Sequence, residues 1–169
     1  MQRLRALAVF ALCAGLLGCD HATKLCAEAT LGSGKVVTVV PKVLELRYAR
    51  NSDVAFSALS EWDIPHKGLI VLVLSGLVLL AALGMWVRHR LVSRATGQAK
   101  KQDWGLTDVG FAFVMAGAVG NVLDRLARGY VIDFIHLSYW PVFNVADVCI
   151  VLGLIALGLS RSRMRPAVA

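Results

Sequence analysis

The chain has 169 residues, of which 57% are hydrophobic and 17% are charged, and its formal net charge is +7. A soluble domain has about 45–50% apolar and about 25% charged residues, so this composition argues against a soluble protein and indicates a membrane protein. The basic residues form no stripe on a soluble module, which argues against nucleic-acid binding.

Four apolar segments are each long enough to cross a bilayer, which takes about 20 mainly apolar residues. They are residues 4–22, 68–87, 106–123 and 142–160. Lysine and arginine flank them at Arg3, Arg5, Arg88, Arg90, Arg94, Lys100, Lys101, Arg161, Arg163 and Arg165. Because cytoplasmic loops carry the excess of basic residues, both termini are predicted inside, and residues 24–67 and 124–141 are predicted outside.

The resulting prediction is a mainly α-helical, polytopic membrane protein with four spans and a single domain over residues 1–169. Residues 16–19, LLGC, look like the end of a lipoprotein signal peptide, with Cys19 as the residue to be lipidated. A mature lipoprotein has no need of three further spans, however. The other cysteines, Cys13, Cys26 and Cys149, show no spacing typical of disulfides or zinc sites.

Two features of the outer segments predict local structure there. Residues 36–48 are rich in β-branched residues and end in an alternating apolar and polar pattern, which predicts a strand of a small outer sheet. Trp62 and the aromatics of residues 138–141, SYWP, suit the membrane–water interface, so a short interfacial segment is also expected.

Four aspartates lie at or near the outer ends of the predicted spans: Asp20, Asp124, Asp133 and Asp147. An ionisable group at a helix centre in the membrane costs about 2.5–3.5 kcal/mol, so such groups mark candidate functional sites. Three of them have a simpler interpretation as an ion pair or helix cap: Asp20 with Lys24, Asp124 with Arg125, and Asp147 with Asn144. Asp133 lies between apolar residues in VIDFI and has no such interpretation.

Two carboxylates at close range can activate water, because one stays protonated as an acid while the other acts as the base. The sequence shows no serine–histidine–acid set and no glycine-rich phosphate loop, and its histidines do not cluster with the acids as a metal site requires. Aspartyl-protease chemistry therefore fits best. The sequence leaves open whether Asp124 or Asp133 is the partner of Asp147, and we favour Asp133.

The motifs around these acids resemble those of the bacterial lipoprotein signal peptidase family, also called signal peptidase II. They are DHATK at 20–24, GNVLDR at 120–125, VIDF at 131–134 and PVFNVAD at 141–147, and they occur in the family's order. The resemblance covers essentially the whole chain. It implies an aspartyl protease of the bacterial cytoplasmic membrane with four spans, a periplasmic sheet and its active site at the periplasmic face.

By this resemblance Asp133 and Asp147 are the catalytic pair, and the expected supporting residues are Asn51, Asn121, Asp124, Arg125, Asn144, Asp20 and Lys24. The implied substrate is a diacylglyceryl-modified prolipoprotein in membrane lipid, cut just before its lipidated cysteine. We expect a monomer with no metal and no cofactor.

The sequence departs from the family pattern at two places. Asp53 stands where the family has glycine in its outer-loop motif, and aspartate adopts left-handed backbone angles only at some cost. Residues 134–146, between the two catalytic candidates, form a short version of the family's loop. Two other functions remain as alternatives. One is a small carrier with intramembrane acids, whose acidic residues would lie near the bilayer midplane. The other is a lipoprotein anchored through Cys19.

Overall fold

A computed structural model describes residues 2–52, 66–95 and 105–163 of the chain. Within these ranges the elements are α1 (Gln2–Leu31), β1 (Val36–Val40), β2 (Leu44–Asn51), α2 (Lys67–Ala95), α3 (Leu106–Arg128), β3 (Val131–Leu137) and α4 (Val145–Arg163). The prediction of a mainly helical protein with a small sheet is therefore confirmed. Asp53 and Trp62 lie outside the described residues, whereas Tyr139 and Trp140, which we expected at the interface, are exposed on the surface.

Three of the described helices contain segments that are long and apolar enough to cross a membrane: Leu7–Leu31, Gly68–Ser93 and Leu106–Arg128. The apolar part of α4 is shorter, at Val145–Ser160. Many leucine and valine side chains on α2 and α4 are exposed, which is the surface expected of helices that face lipid. The chain is thus a multi-pass membrane protein.

The helix ends differ from the boundaries predicted by hydropathy. α1 continues to Leu31, past the predicted end at residue 22, because its last turns pack under the sheet through Ala27 and Leu31. α3 includes residue 124, which we had assigned to an outer segment, and it ends at Arg128, with Gly129 as its C-terminal cap. Gly129 has a φ of 80° and donates its N–H to the carbonyl oxygen of Arg125, the geometry of a glycine helix cap.

The sheet is antiparallel with the order β1-β2-β3. The single strand predicted over residues 36–48 is a hairpin, whose turn contains Lys42 at a φ of 62°. β3 was not predicted at all. It replaces the first part of the supposed loop 134–146, and its neighbour β2 places Ala49 opposite Asp133. The sheet packs on α1 through Ile132 and Phe134, which brings β3 to the helix bundle.

α3 packs against the other three helices, and small residues allow α4 to approach it closely. A Cβ atom added at Gly110 would lie 3.0 Å from the carbonyl oxygen of Gly153, and one added at Gly117 would overlap the carbonyl oxygen of Ala146. A Cβ atom added at Gly120 would lie 2.7 Å from Asp20 Oδ2 of α1. The sequence predicts Gly117 and Gly120 as a face for close helix packing, and the contacts at these two glycines confirm it.

We expect Gly117→Val to destabilise the protein by about 1–3 kcal/mol, because the new side chain overpacks the α3–α4 contact. The matched control is Gly76→Val on α2, where an added Cβ meets no heavy atom within 4 Å. Both changes carry the same penalty for a β-branched residue in a helix. Thermal unfolding in detergent measures the difference, and equal stabilities would contradict the packing argument.

Candidate active site

Asp133 and Asp147 reach the same cavity from different elements. Asp133 lies on β3 and is 2% exposed, whereas Asp147 lies in the first turn of α4. The cavity has a volume of about 270 Å³ and opens between the bundle and the sheet. Its lining includes Asn51, Leu74, Ser75, Val78, Ala118, Asn121, Arg125, Val131, Val142 and Ile150.

Asn144 links the two carboxylates. Its side-chain Nδ2 donates to Asp133 Oδ1 at 2.6 Å, and its Oδ1 accepts the backbone N–H of Asp147 at 3.0 Å. In return Asp147 Oδ2 accepts the backbone N–H of Asn144 at 3.2 Å. This reciprocal pair is a capping box at the start of α4. The helix cap formed by Asn144 and Asp147, which we considered as an alternative to a functional role for Asp147, is therefore present. This cap also orients the Asp147 side chain.

Two further asparagines bind the remaining carboxylate oxygens. Asn51 Nδ2 donates to Asp133 Oδ2 at 2.8 Å, and Asn121 Nδ2 donates to Asp147 Oδ1 at 2.9 Å. Each of the four oxygens thus accepts an N–H group. Because neutral amides supply these contacts, they fix the position of the carboxylates without neutralising them by a cation.

Burial raises the pKa of Asp133 from 3.8 to about 6. The hydrogen bond from Asn51 lowers the pKa, and the nearby charge of Asp147 raises it further. Removal from water disfavours the charged form of a carboxyl group, so Asp133 retains a proton to a higher pH than an exposed aspartate.

This pKa predicts a pH-dependent contribution of Asp133 to stability. A raised pKa in the folded state means that the contribution is complete below about pH 4 and is lost as the pH rises through about 6. At 1.36 kcal/mol per pKa unit, the loss amounts to about 2–3 kcal/mol. Unfolding measured from pH 4 to pH 7.5 should show this decline in the wild type but not in Asp133→Asn. If the stability of the two proteins changed with pH in the same way, this prediction would be wrong.

An ion cluster lies beside the cavity, centred on Lys24, which is fully buried. Its Nζ contacts Asp20 Oδ2 at 2.8 Å, Asp124 Oδ2 at 2.9 Å and Asn121 Oδ1 at 3.1 Å. Lys24 accordingly holds the Asn121 amide with its oxygen toward the cluster and its nitrogen toward Asp147. The predicted Asp20–Lys24 ion pair exists, as part of this larger network.

Each of the two acids of the cluster has a further partner. Asp20 Oδ1 accepts the N–H of Ala146 at 2.8 Å, so α1 caps the first turn of α4. Asp124 binds Arg128 Nη1 at 2.5 Å as well as Lys24, and it does not line the cavity that contains Asp147. The ion pair expected between Asp124 and Arg125 is replaced by the pair with Arg128, one helical turn away.

Sequence reasoning missed several residues of this region. Arg128 was detectable, since it stands four positions after Asp124 on the same helix. The cavity-lining residues of α2, Leu74, Ser75 and Val78, carried no signal, because an apolar helix that faces lipid looks the same as one that lines a site. The bond from Ala146 to Asp20 depends on how the helices pack, which spacing does not reveal.

The site shows no arrangement for a bound metal. In the described part of the chain, no three His, Cys, Asp or Glu side chains are grouped closely enough to hold a metal ion. The carboxylate oxygens of the pair each accept an amide or backbone N–H group.

Two solved structures of bacterial membrane enzymes share this fold. One aligns with a TM-score of 0.73 at 21% identity over 94% of both chains. The other aligns with a TM-score of 0.70 at 22% identity, covering 92% of this chain and 88% of that one. This chain therefore shares the fold of these two membrane proteins.

The family model described as signal peptidase (SPase) II matches residues 12–162, and the chain belongs to this family. The lipoprotein signal peptidase of Geobacter metallireducens is 34% identical over 152 residues, which cover 86% of each chain. The lipoprotein signal peptidase of Pelotomaculum thermopropionicum is 32% identical over 145 residues, covering 86% of this chain and 85% of its own. That of Mycobacterium leprae is 34% identical and covers 92% of this chain and 71% of its own. The family predicted from the motifs is confirmed.

Proposed function

We propose that this protein removes signal peptides from diacylglyceryl-modified prolipoproteins as an aspartic endopeptidase, cutting just before the lipidated cysteine. The observation that carries the proposal is the pair of aspartates in one cavity, each held by amide donors. Such a pair suits water activation, and membership of the signal peptidase II family supplies the substrate class.

Asp133 is the better partner for Asp147. The two residues line one cavity, whereas Asp124 is engaged by Lys24 and Arg128 outside it. The pKa of Asp133 near 6 suits the member of the pair that carries the proton. Asp147 is then the base in the resting enzyme.

In the proposed reaction, Asp147 takes a proton from a water molecule as the water oxygen attacks the carbonyl carbon before the modified cysteine. Asp133 gives its proton to the carbonyl oxygen, which forms a neutral tetrahedral intermediate. When this intermediate collapses, the C–N bond breaks, the cysteine nitrogen receives the proton held by Asp147, and Asp133 recovers its own. Arg125 lines the cavity and is placed to bind a substrate carbonyl.

The apolar lining of the cavity indicates how the substrate reaches the pair. Leu74 and Val78 of α2, Ala118 of α3 and Ile150 of α4 form the apolar part of this lining. A signal helix and a diacylglyceryl chain in the bilayer can approach between α2 and α4 without exposing polar groups to lipid. We assign the substrate backbone to the polar side of the cavity, near Asn51 and Asn121.

We further propose that α4 is a fourth span and that both termini face the cytoplasm. The three basic clusters at residues 3–5, 88–101 and 161–165 then lie on one side, and the site lies at the outer face, which is periplasmic where an outer membrane exists. The packing of α3 against α1, α2 and α4 supports one domain over residues 1–169, and we propose that the protein acts as a monomer. Reporter fusions at each terminus test the orientation, and a periplasmic reporter signal at either end would refute it.

The proposed activity is tested with purified protein in lipid and a diacylglyceryl-modified prolipoprotein. Loss of the signal peptide is followed on a gel, and mass spectrometry of the product gives the position of the cut. We expect cleavage before the modified cysteine and none of the unmodified prolipoprotein. Cleavage of both forms would overturn the proposed substrate, and cleavage at another bond would overturn the proposed position.

A further inference from the structure

A second cleft lies between α2 and α4, at the end of the bundle away from the aspartate pair. It has a volume of about 690 Å³, and Thr107 and Phe111 of α3 also line it. Among the described residues, it shares no lining residue with the cavity of Asp133 and Asp147. On α4, Asp147 and Ser160 are 13 positions apart, which is about 20 Å at 1.5 Å per residue, so the two sites are separate.

The lining of this cleft combines cationic, hydroxyl and apolar groups. Arg88 of α2 provides the cation and His89 an imidazole, and Thr107 and Ser160 hydrogen-bond to each other across the start of α3 and the end of α4. The ring of His89 lies beside that of Phe111, with centroids 6.3 Å apart. The apolar lining consists of Met85, Val92, Phe111, Leu154, Leu157 and Gly158.

The electrostatics of the cleft favour an anion. The nearest acid in the first turn of α3, Asp108, is 4% exposed and is paired with Arg90, whose Nη1 lies 3.5 Å away. Its charge is therefore balanced without Arg88. The N-terminus of α3 starts at this cleft, and a helix N-terminus adds positive potential. Within the described ranges, Arg88 has no acidic partner.

We propose that this cleft binds an anionic phospholipid such as phosphatidylglycerol. Arg88 and His89 contact the phosphodiester, and one acyl chain lies along the apolar lining. Free phosphate would not contact the apolar lining, and a zwitterionic lipid has no net charge to attract the arginine. Basic pockets between membrane helices bind anionic headgroups in the same way. If Arg88 only extended to the interface, as arginines at helix ends do, filling the cleft would leave lipid binding unchanged.

The test compares lipids and variants of the full-length protein in zwitterionic detergent. Phosphatidylglycerol, phosphatidylcholine or inorganic phosphate is titrated, and binding is followed by the shift in Tm and by lipid retained in native mass spectrometry. Arg88→Gln removes the cation, with Lys35→Gln, an exposed residue near the sheet, as its control. Gly158→Leu fills the cleft, since an added Cβ there meets no heavy atom within 4 Å. Its control is Gly84→Leu, at an equally open glycine of α2.

We expect phosphatidylglycerol to raise Tm more than phosphatidylcholine does. Arg88→Gln should weaken its binding by about fivefold, and Gly158→Leu should abolish lipid retention, while both controls behave as the wild type. Equal effects of the two lipids, or no effect of Gly158→Leu, would overturn the proposal. An equal shift with inorganic phosphate alone would identify a phosphate site and also overturn it. If Arg88→Gln fails to fold, the comparison of lipid retention by Gly158→Leu and Gly84→Leu still tests whether lipid binds in the cleft.

Discussion

Replacing Asp133 or Asp147 with asparagine is expected to lower the rate of prolipoprotein cleavage by about 10²–10⁴-fold, the usual contribution of a positioned acid or base. Asparagine has nearly the same shape as aspartate but cannot accept or supply the proton. The rate is measured on the diacylglyceryl-modified substrate at equal concentrations of folded protein. Each variant should remain folded, because the replaced carboxylates have no salt-bridge partner in the cavity.

The matched control for these variants is Asp124→Asn. Asp124 contacts Lys24 and Arg128 outside the cavity, so its replacement should lower stability more than either of the other changes. The folded fraction should retain activity. If Asp124→Asn abolished cleavage in a stable protein while Asp133→Asn did not, the protein would remain a candidate aspartic protease with a different pair.

The second large effect is expected for Lys24→Met, which should destabilise the protein by about 3–5 kcal/mol. This change leaves Asp20 without its cation in a buried site and removes one of the two cations that contact Asp124. It also frees the amide of Asn121 to rotate away from Asp147. Unfolding in detergent measures the loss, with Lys35→Met at an exposed position as the control.

A second change tests whether the destabilisation has this electrostatic cause. Asp20→Asn in the Lys24→Met background removes the uncompensated charge but keeps an oxygen for the N–H of Ala146. The double variant should be more stable than Lys24→Met alone, which gives a favourable coupling in a double-mutant cycle. Additive losses would show that Lys24 acts mainly through packing.

Hydropathy predicted the helices well because the membrane imposes a long apolar run on each span. Hydropathy could not predict where the helices end, because contacts with the sheet stabilise the extension of α1 to Leu31. We did not predict β3, because tertiary burial again hides the pattern that marks a strand in the sequence. Residues 131–134 are all buried, so they lack the alternation that marks a half-exposed strand.

The sequence motifs identified the residues that meet at the site, but not how they bind one another. Asn144 links the two carboxylates because its amide nitrogen faces Asp133 and its amide oxygen faces the backbone of Asp147. The cap of α4 and the position of β3 together determine this orientation. Likewise, the spacing of Asp20 and Lys24 predicts a pair within one helix and says nothing of Asp124. Long-range packing of charged groups leaves no periodic signal.

The bond between Asp20 and the N–H of Ala146 has a consequence for biosynthesis. The ribosome makes α1 first and α4 last, and chains fold from the N-terminus as they emerge. Asp20 and Lys24 can enter the membrane as a neutral pair within α1, but the first turn of α4 gains its partner only when translation is nearly complete. An unfinished chain therefore cannot assemble the aspartate pair, so the proposed proteolytic activity arises only in a fully synthesised protein.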